Sequence, residues 1–250
     1  MSQYLSGNYY CLTDKGKVRK INEDYASALI NPFGNVLMMV ADGMGGASKG
    51  EVASSNLVNH ITHSFISLEK EFKNEKAMHK WVYKVVKEAN AKIYLKANSD
   101  EKFKGMGTTL SLVLLVKNKL LTAQVGDSRV YLLIDNKLTQ ITEDQTYVNF
   151  LIKSKGMPKE IANTHPKRHK LTNALGTKRR LNVDINVRDY HGERILICSD
   201  GLYNNVPESD MASIIRGNDS LDKKANQLIA FGNFNGGSDN MALILWESEN

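Results

Sequence analysis

The sequence predicts an α+β fold made of layers, not of alternating strand–helix–strand units. Two observations carry this. Apolar, β-branched stretches between residues 109 and 141 follow one another with only short turns between them. Strands linked so tightly run antiparallel, because parallel neighbours need long crossovers. Two long stretches of helical periodicity come before them as a block, and further strands and helices come after, which is the order of a layered α+β chain.

The elements follow in order. Tyr25–Ala41 reads as two strands around the turn Asn31-Pro32-Phe33-Gly34-Asn35. After Gly50, apolar Leu57, Val58, Ile61, Phe65 and Leu68 recur at helical spacing, and Met78, Val82, Val85, Val86, Ala89 and Ile93 line one face of a second helix. Thr109–Val116, Leu120–Val125, Arg129–Ile134 and Leu138–Ile141 read as strands of an antiparallel meander. Gln145–Asn173 lacks strand periodicity and reads as helical only in pieces. Val183–Asp189 and Arg194–Cys198 read as a strand pair, Pro207–Ile215 and Leu221–Ala230 as helices, and Met241–Trp246 as the last strand.

No repeat, low-complexity tract or composition shift divides the 250 residues, so one domain over 1–250 is expected. Such a chain buries a sizeable core without disulfides. It has two cysteines, Cys11 and Cys198, the second in an apolar run that reads as core. Met1–Tyr10 has no basic start leading into an apolar stretch, so no signal peptide is expected. Apolar runs such as Leu110–Val116 are too short to span a bilayer. A cytoplasmic protein with no membrane contact is the expectation. The net charge of +6 reads as an ordinary basic surface, with attraction to anionic partners as the sharper alternative.

Several aspartates sit where strands end. Asp42 follows Val36–Ala41, Asp127 follows Leu120–Gly126, Asp200 follows Ile195–Ser199, Asp239 opens the last strand, and Asp24 enters the first hairpin. Taken singly, each is an ordinary turn former or helix cap. Together they can gather at one sheet edge, and several come with glycines that let main chain approach a ligand closely, as in Asp42-Gly43-Met44-Gly45-Gly46. Converging carboxylates repel unless protonated or neutralised by cations. Oxygen donors select Mg2+ or Mn2+, and no Cys/His spacing of a zinc site is present. Arg19, just upstream of Asn22-Glu23-Asp24, can clamp phosphate oxygens in bidentate fashion.

These residues resemble the metal-dependent serine/threonine protein phosphatases of the PPM, or type 2C, family. The matches run in order through Arg19-Lys20-Ile21-Asn22-Glu23-Asp24, Val40–Gly46, Gly105-Met106-Gly107-Thr108-Thr109, Val125-Gly126-Asp127-Ser128-Arg129, Leu175-Gly176, Cys198-Ser199-Asp200-Gly201-Leu202 and Asp239-Asn240. The resemblance implies a β-sandwich of two antiparallel sheets flanked by α-helices, in α-β-β-α layers, with the metals at one end between the sheets. It implies that Asp42 bridges two Mn2+ or Mg2+ ions, that the Gly43 carbonyl completes one ion's shell, and that Asp200 and Asp239 hold the other. Glu23 and Asp24 act nearby, partly through water. Asp127, with Asp200, is where some bacterial members hold a third ion, and Arg19 binds the substrate phosphate. The implied reaction is hydrolysis of phosphoserine and phosphothreonine in proteins by a metal-activated water, with no phosphoenzyme. Met44 stands where animal members carry a histidine, and Asp144-Gln145-Thr146 stands where the family usually has Asp-His-Ser. Both point to the bacterial branch, which implies a cognate serine/threonine kinase acting on the same phosphoproteins. A monomer is expected.

Two other functions compete. A phosphoprotein-binding regulator without turnover would be expected to lack metal ligands, and none is missing. A metal-dependent nuclease or nucleotide phosphohydrolase would need basic and aromatic elements tracking a strand. Only Lys167-Arg168-His169-Lys170 and Lys178-Arg179-Arg180 cluster, so no nucleic-acid partner is expected. Gln145–Thr177 is expected to form a flap beside the cleft that selects protein substrates. His60, His63 and His79 read as packed or solvated helix residues, whereas His165 and His169 fall in the segment expected to border the cleft.

Overall fold

The computed structural model describes residues 6–45, 49–162 and 164–249. Gly46, the last residue of the sequence motif Asp42-Gly43-Met44-Gly45-Gly46, lies outside them. In chain order the elements are β1 (Gly7–Asp14), β2 (Asp24–Ile30), β3 (Val36–Met44), α1 (Lys49–Ile66), α2 (Glu75–Ser99), β4 (Gly107–Thr108), β5 (Leu110–Val116), β6 (Lys119–Val125), β7 (Arg129–Ile134), β8 (Lys137–Gln140), α3 (Tyr147–Lys155), α4 (Lys159–Ala162), β9 (Asp184–Asp189), β10 (Ile195–Cys198), α5 (Asp200–Tyr203), α6 (Glu208–Arg216), α7 (Leu221–Phe234) and β11 (Met241–Ser248). Among the described residues, no helix is long and apolar enough to cross a membrane.

The strands form two antiparallel sheets, one ordered β1-β11-β10-β7-β8 and the other β2-β3-β5-β6-β9, with β4 paired to β3. Side-chain alternation divides each central strand between two cores. Val36, Met38 and Val40 of β3 meet Ile195, Ile197, Ala242, Ile244 and Trp246 of the other sheet, filling the space between the sheets. The opposite face of β3, Leu37, Met39 and Ala41, packs under Leu57, Ile61 and Phe65 of α1 and Val82, Val86 and Ile93 of α2. On the far side, Leu196, Cys198, Leu243 and Leu245 pack beneath Met211, Ile215, Ala225 and Leu228 of α6 and α7. Strands buried on both faces read as unbroken apolar runs, which is why these were legible. The layers are helix, sheet, sheet, helix.

Three expectations need correction. β1 was not expected. It is an edge strand whose alternate residues serve different cores, Cys11 facing the sandwich interior and Tyr10 and Leu12 the α6–α7 side, so no apolar run marks it. The meander between residues 109 and 141 is two hairpins in different sheets. β5 pairs with β6 and β7 with β8, but the chain turns a corner from one sheet to the other through Gly126-Asp127-Ser128. Gly126 has φ +93°, which favours glycine, and the corner's polar groups are satisfied by Gln124, whose Nε2 donates to the Ser128 carbonyl at 2.7 Å. Likewise, Val183–Asp189 and Arg194–Cys198 do not pair with each other: β9 adds to β6 as an edge strand, while β10 lies between β7 and β11. A short link can join strands of two sheets when each strand finds its partners elsewhere in the fold.

One buried charge stands out on the α7 side. The Lys224 side chain is 1% exposed, and its Nζ lies 2.6 Å from Glu247 Oε1, which also lies 2.9 Å from Arg194 Nε. Glu247→Gln leaves that ammonium without its counter-charge and is expected to cost about 1–3 kcal/mol in urea denaturation. An unchanged midpoint would show that Lys224 finds another acceptor.

Candidate metal centre

The sheet order brings the strand-end aspartates to one mouth of the sandwich. Asp24 opens β2 directly opposite Asp42 near the end of β3. Asp127 stands on the corner between the sheets, Asp200 is the first residue of α5 after β10, and Asp239 precedes β11. Asp42 feels the charges of Asp24, Asp200, Asp127 and Asp239 alike, so the five converge. Its main chain is fixed: Asp42 N–H donates to Thr109 Oγ1 at 2.9 Å, and its carbonyl accepts from Thr109 N–H at 2.8 Å. Thr109 is backed in turn by Ser128 Oγ at 2.8 Å. Gly43 has to be glycine for a steric reason, because a Cβ there would stand 2.2 Å from the Gly50 carbonyl oxygen where α1 begins.

The carboxylates are crowded, with Asp24 and Asp127 buried and Asp42, Asp200 and Asp239 half-buried. Burial, then the charges of Asp200 and Asp239, push Asp24 up to about 7 even though Ser199 Oγ donates to its Oδ2 at 2.6 Å. Burial and the charge of Asp200 push Asp127 up to about 7. Asp42 is raised well above the usual carboxylate range by burial and by its four neighbours, and Asp200 is raised by burial and by Asp239. A cluster of partly buried oxygen donors that resist ionising beside one another fits a hard divalent cation, whose charge would offset the repulsion.

Other expected residues are turned onto protein partners. Glu23 Oε1 accepts from Gly50 N–H at 2.8 Å, capping the start of α1. Arg19 Nη2 donates to Asp239 Oδ2 at 2.7 Å, so the guanidinium stands at the mouth paired with a carboxylate. Among the described residues, no three His, Cys, Asp or Glu side chains are spaced to enclose an ion. Sequence reasoning assigned no role to two polar residues that organise the site. Ser199 Oγ bonds Asp24 and also accepts from Ala242 N–H at 2.8 Å. Asn240 donates to the carbonyls of Lys15 and Ile21 at 2.8 and 2.9 Å and accepts from Glu23 N–H at 2.9 Å. It staples the loop that carries Arg19 to the start of β11. Both residues stand inside the motifs quoted above, and that adjacency was the available signal.

The segment after β8 lies beside the mouth. Gln145 Oε1 accepts from Gly126 N–H at 3.0 Å, and its Nε2 donates to Asp184 Oδ2 at 2.6 Å, so the departure at this position ties the flap to the Asp127 corner and to β9. Asp144 takes two donors from Arg129, whose guanidinium lies 3.6 Å from the centroid of the Tyr203 ring. The Tyr203 hydroxyl donates to the Asp127 carbonyl at 3.1 Å. His169 lies close enough to Asp200 for its charge to favour that carboxylate, while His165 Nδ1 accepts from Lys167 N–H at 3.1 Å. A cleft of about 590 Å3 opens between the flap and Met44.

Known proteins are similar to this chain. The family model described as protein phosphatase 2C matches residues 16–229. The chain is 38% identical over 236 residues to the serine/threonine phosphatase stp of Listeria welshimeri, covering 94% of this chain and 93% of that one. It is 32% identical over 235 residues to the protein phosphatase PhpP of Streptococcus pneumoniae, covering 94% of each. The solved serine/threonine phosphatase of S. agalactiae superposes with a TM-score of 0.91 at 32% identity, covering 97% of this chain and 100% of that one. The catalytic domain of the serine/threonine protein phosphatase PstP, solved with 2 manganese ions, gives a TM-score of 0.84 at 30% identity, covering 98% and 100%. The solved relatives share this chain's fold over nearly its whole length. The chain belongs to the protein phosphatase 2C family.

Proposed function

We propose that this chain is a metal-dependent phosphatase that hydrolyses phosphoserine and phosphothreonine in other proteins, reversing the work of a serine/threonine kinase. The observation that carries this reading is the convergence of buried and half-buried aspartates from both sheets on one mouth, in a chain of this family. Asp42 sits at the centre and would bridge two ions. The Gly43 carbonyl would complete one shell, and Asp200 and Asp239 would hold the second ion. Glu23 and Asp24 would act at one remove through water, and Asp127 would share a third, weaker site with Asp200. Bound Mn2+ or Mg2+ supplies Lewis-acid stabilisation of phosphate oxygens and lowers the pKa of water. The protein's own part is to hold these carboxylates and to present Arg19, which exchanges Asp239 for two oxygens of the substrate phosphate. Phosphoproteins in the cytoplasm are the proposed partners, with a cognate kinase and a monomeric enzyme.

The test is turnover of phosphoserine, phosphothreonine and phosphotyrosine peptides with Mn2+, with Mg2+ and after metal stripping in EDTA. The expected outcome is activity on the first two that vanishes with the chelator and returns with Mn2+. Full activity in excess EDTA would sink the reading.

A further inference from the structure

We infer that the cleft between the flap and the aspartate mouth selects phosphosites flanked by acidic and bulky apolar residues. This rests on the phosphatase reading above and names the substrate class of that same site. The floor of the cleft is apolar, made by Met44, Tyr147, Phe150 and Leu171. Met44 is two residues beyond Asp42 on β3, so the cleft adjoins the mouth along that strand. The Tyr147 and Phe150 rings stack with centroids 6.0 Å apart, and Phe150 remains 41% exposed, an apolar surface offered to an incoming side chain. Lys167, Lys170 and Lys178 line the same cleft. All three are exposed, and among the described residues none is in an ion pair and no acidic side chain lines the cleft.

The rim is pre-set, which limits the ordering cost of binding. Tyr147 N–H donates to the Lys170 carbonyl at 2.8 Å, and Thr146 bridges to Leu171, holding the lysine turn against α3. Buried Asn90 of α2 accepts from Gly176 N–H at 2.9 Å and donates to the Lys178 carbonyl at 3.1 Å, fixing the other wall. Cations without partners above an apolar floor complement a segment bearing a carboxylate and a large apolar residue close together. An anionic membrane would meet the same chemistry, but a concave surface that adjoins the aspartate mouth favours a peptide.

The experiment compares kcat/KM, with Mn2+, for two phosphothreonine peptides that differ only in their flanks. One carries Glu and Leu, the other Lys and Gly. Each rate is taken relative to the same protein's turnover of 4-nitrophenyl phosphate. The wild type is expected to favour the Glu/Leu peptide by about fivefold to tenfold, as a few exposed ion pairs allow. Lys167→Glu/Lys170→Glu should bring the ratio to parity or invert it, and Phe150→Ala should remove the response to Leu while keeping the response to Glu. Parity in the wild type, or a ratio unchanged in the charge-reversed variant, overturns the proposal while 4-nitrophenyl phosphate turnover leaves the phosphatase reading standing. Loss of binding to phosphatidylglycerol vesicles in that variant, with the peptide ratio unchanged, would make the surface a membrane contact and also overturn it. If the wild type turns over none of the three substrates, the phosphatase reading falls first.

Discussion

Asp42→Asn is expected to lower kcat by at least roughly a hundredfold at saturating Mn2+, because losing the group proposed to bridge two ions would remove several kcal/mol of transition-state charge stabilisation. The substitution is nearly isosteric, and the backbone at this position is held by Thr109 from both sides. The amide therefore stays where the carboxylate was, and the change is one of charge rather than of place. Removing one of five crowded acids also relieves repulsion, so the metal-free variant should melt no lower than the metal-free wild type. Kinetics with 4-nitrophenyl phosphate and a phosphopeptide, together with thermal melts in EDTA, check both halves. A near-normal rate at saturating metal would refute the bridging role, whereas a large fall in melting temperature would point to a structural one.

The second large effect is on stability. Without divalent ions, the protein should become less stable as pH rises from about 4 towards about 7. Asp24 and Asp127 keep their protons up to about 7 in the folded state, and Asp42 and Asp200 are raised in the same direction. In the unfolded chain, aspartates release theirs near pH 4. Between those limits the folded state binds more protons than the unfolded one, so unfolding is favoured increasingly as protons are withdrawn, by about 1.4 kcal/mol per pH unit for each such group. The stabilisation is fully present below the unfolded value and is lost by the time pH passes the folded one. Half-buried His60, lowered by burial and by Lys92, contributes a slope of opposite sign. The difference between melts with EDTA and with Mn2+ therefore isolates the aspartates, since Mn2+ should flatten their part alone. Equal pH profiles in both would mean that the cluster does not bind the ion.

Much of this was readable beforehand, for identifiable reasons. β3, β5, β10 and β11 are covered on both faces, so their apolar runs are unbroken and the acids that follow them are easy to see. The α1 and α2 stripes follow from one-sided burial. What escaped depends on distant partners. β1 owes its strand to β11, and nothing in Asn8-Tyr9-Tyr10-Cys11 announces that partner. The corner at Gly126 looks like any hairpin turn, because a glycine at positive φ marks a change of direction without saying which sheet receives the chain. The Arg19–Asp239 pair and the staple at Asn240 join residues more than two hundred positions apart, and spacing carries no signal for such contacts.

The pairing of β1 with β11 also bears on when this molecule can become competent. Contacts between distant stretches of chain pay their loop-closure entropy before they return anything, and they form late. Here the register Asp14↔Met241 is the end of that zipper nearest the mouth, and Arg19, Glu23, Asp239 and Asn240 all lie just beyond it. The α1–α2 half of the sandwich can assemble from local hairpins and helices while the chain is still being made. The mouth cannot, because one of its walls is supplied by the last strand. A chain in which β1 and β11 have not yet paired holds Asp24, Asp42, Asp127 and Asp200 but lacks the clasp at Asn240 that draws the Lys15–Glu23 loop over them. The mouth is therefore expected to be completed only when that long-range pairing closes.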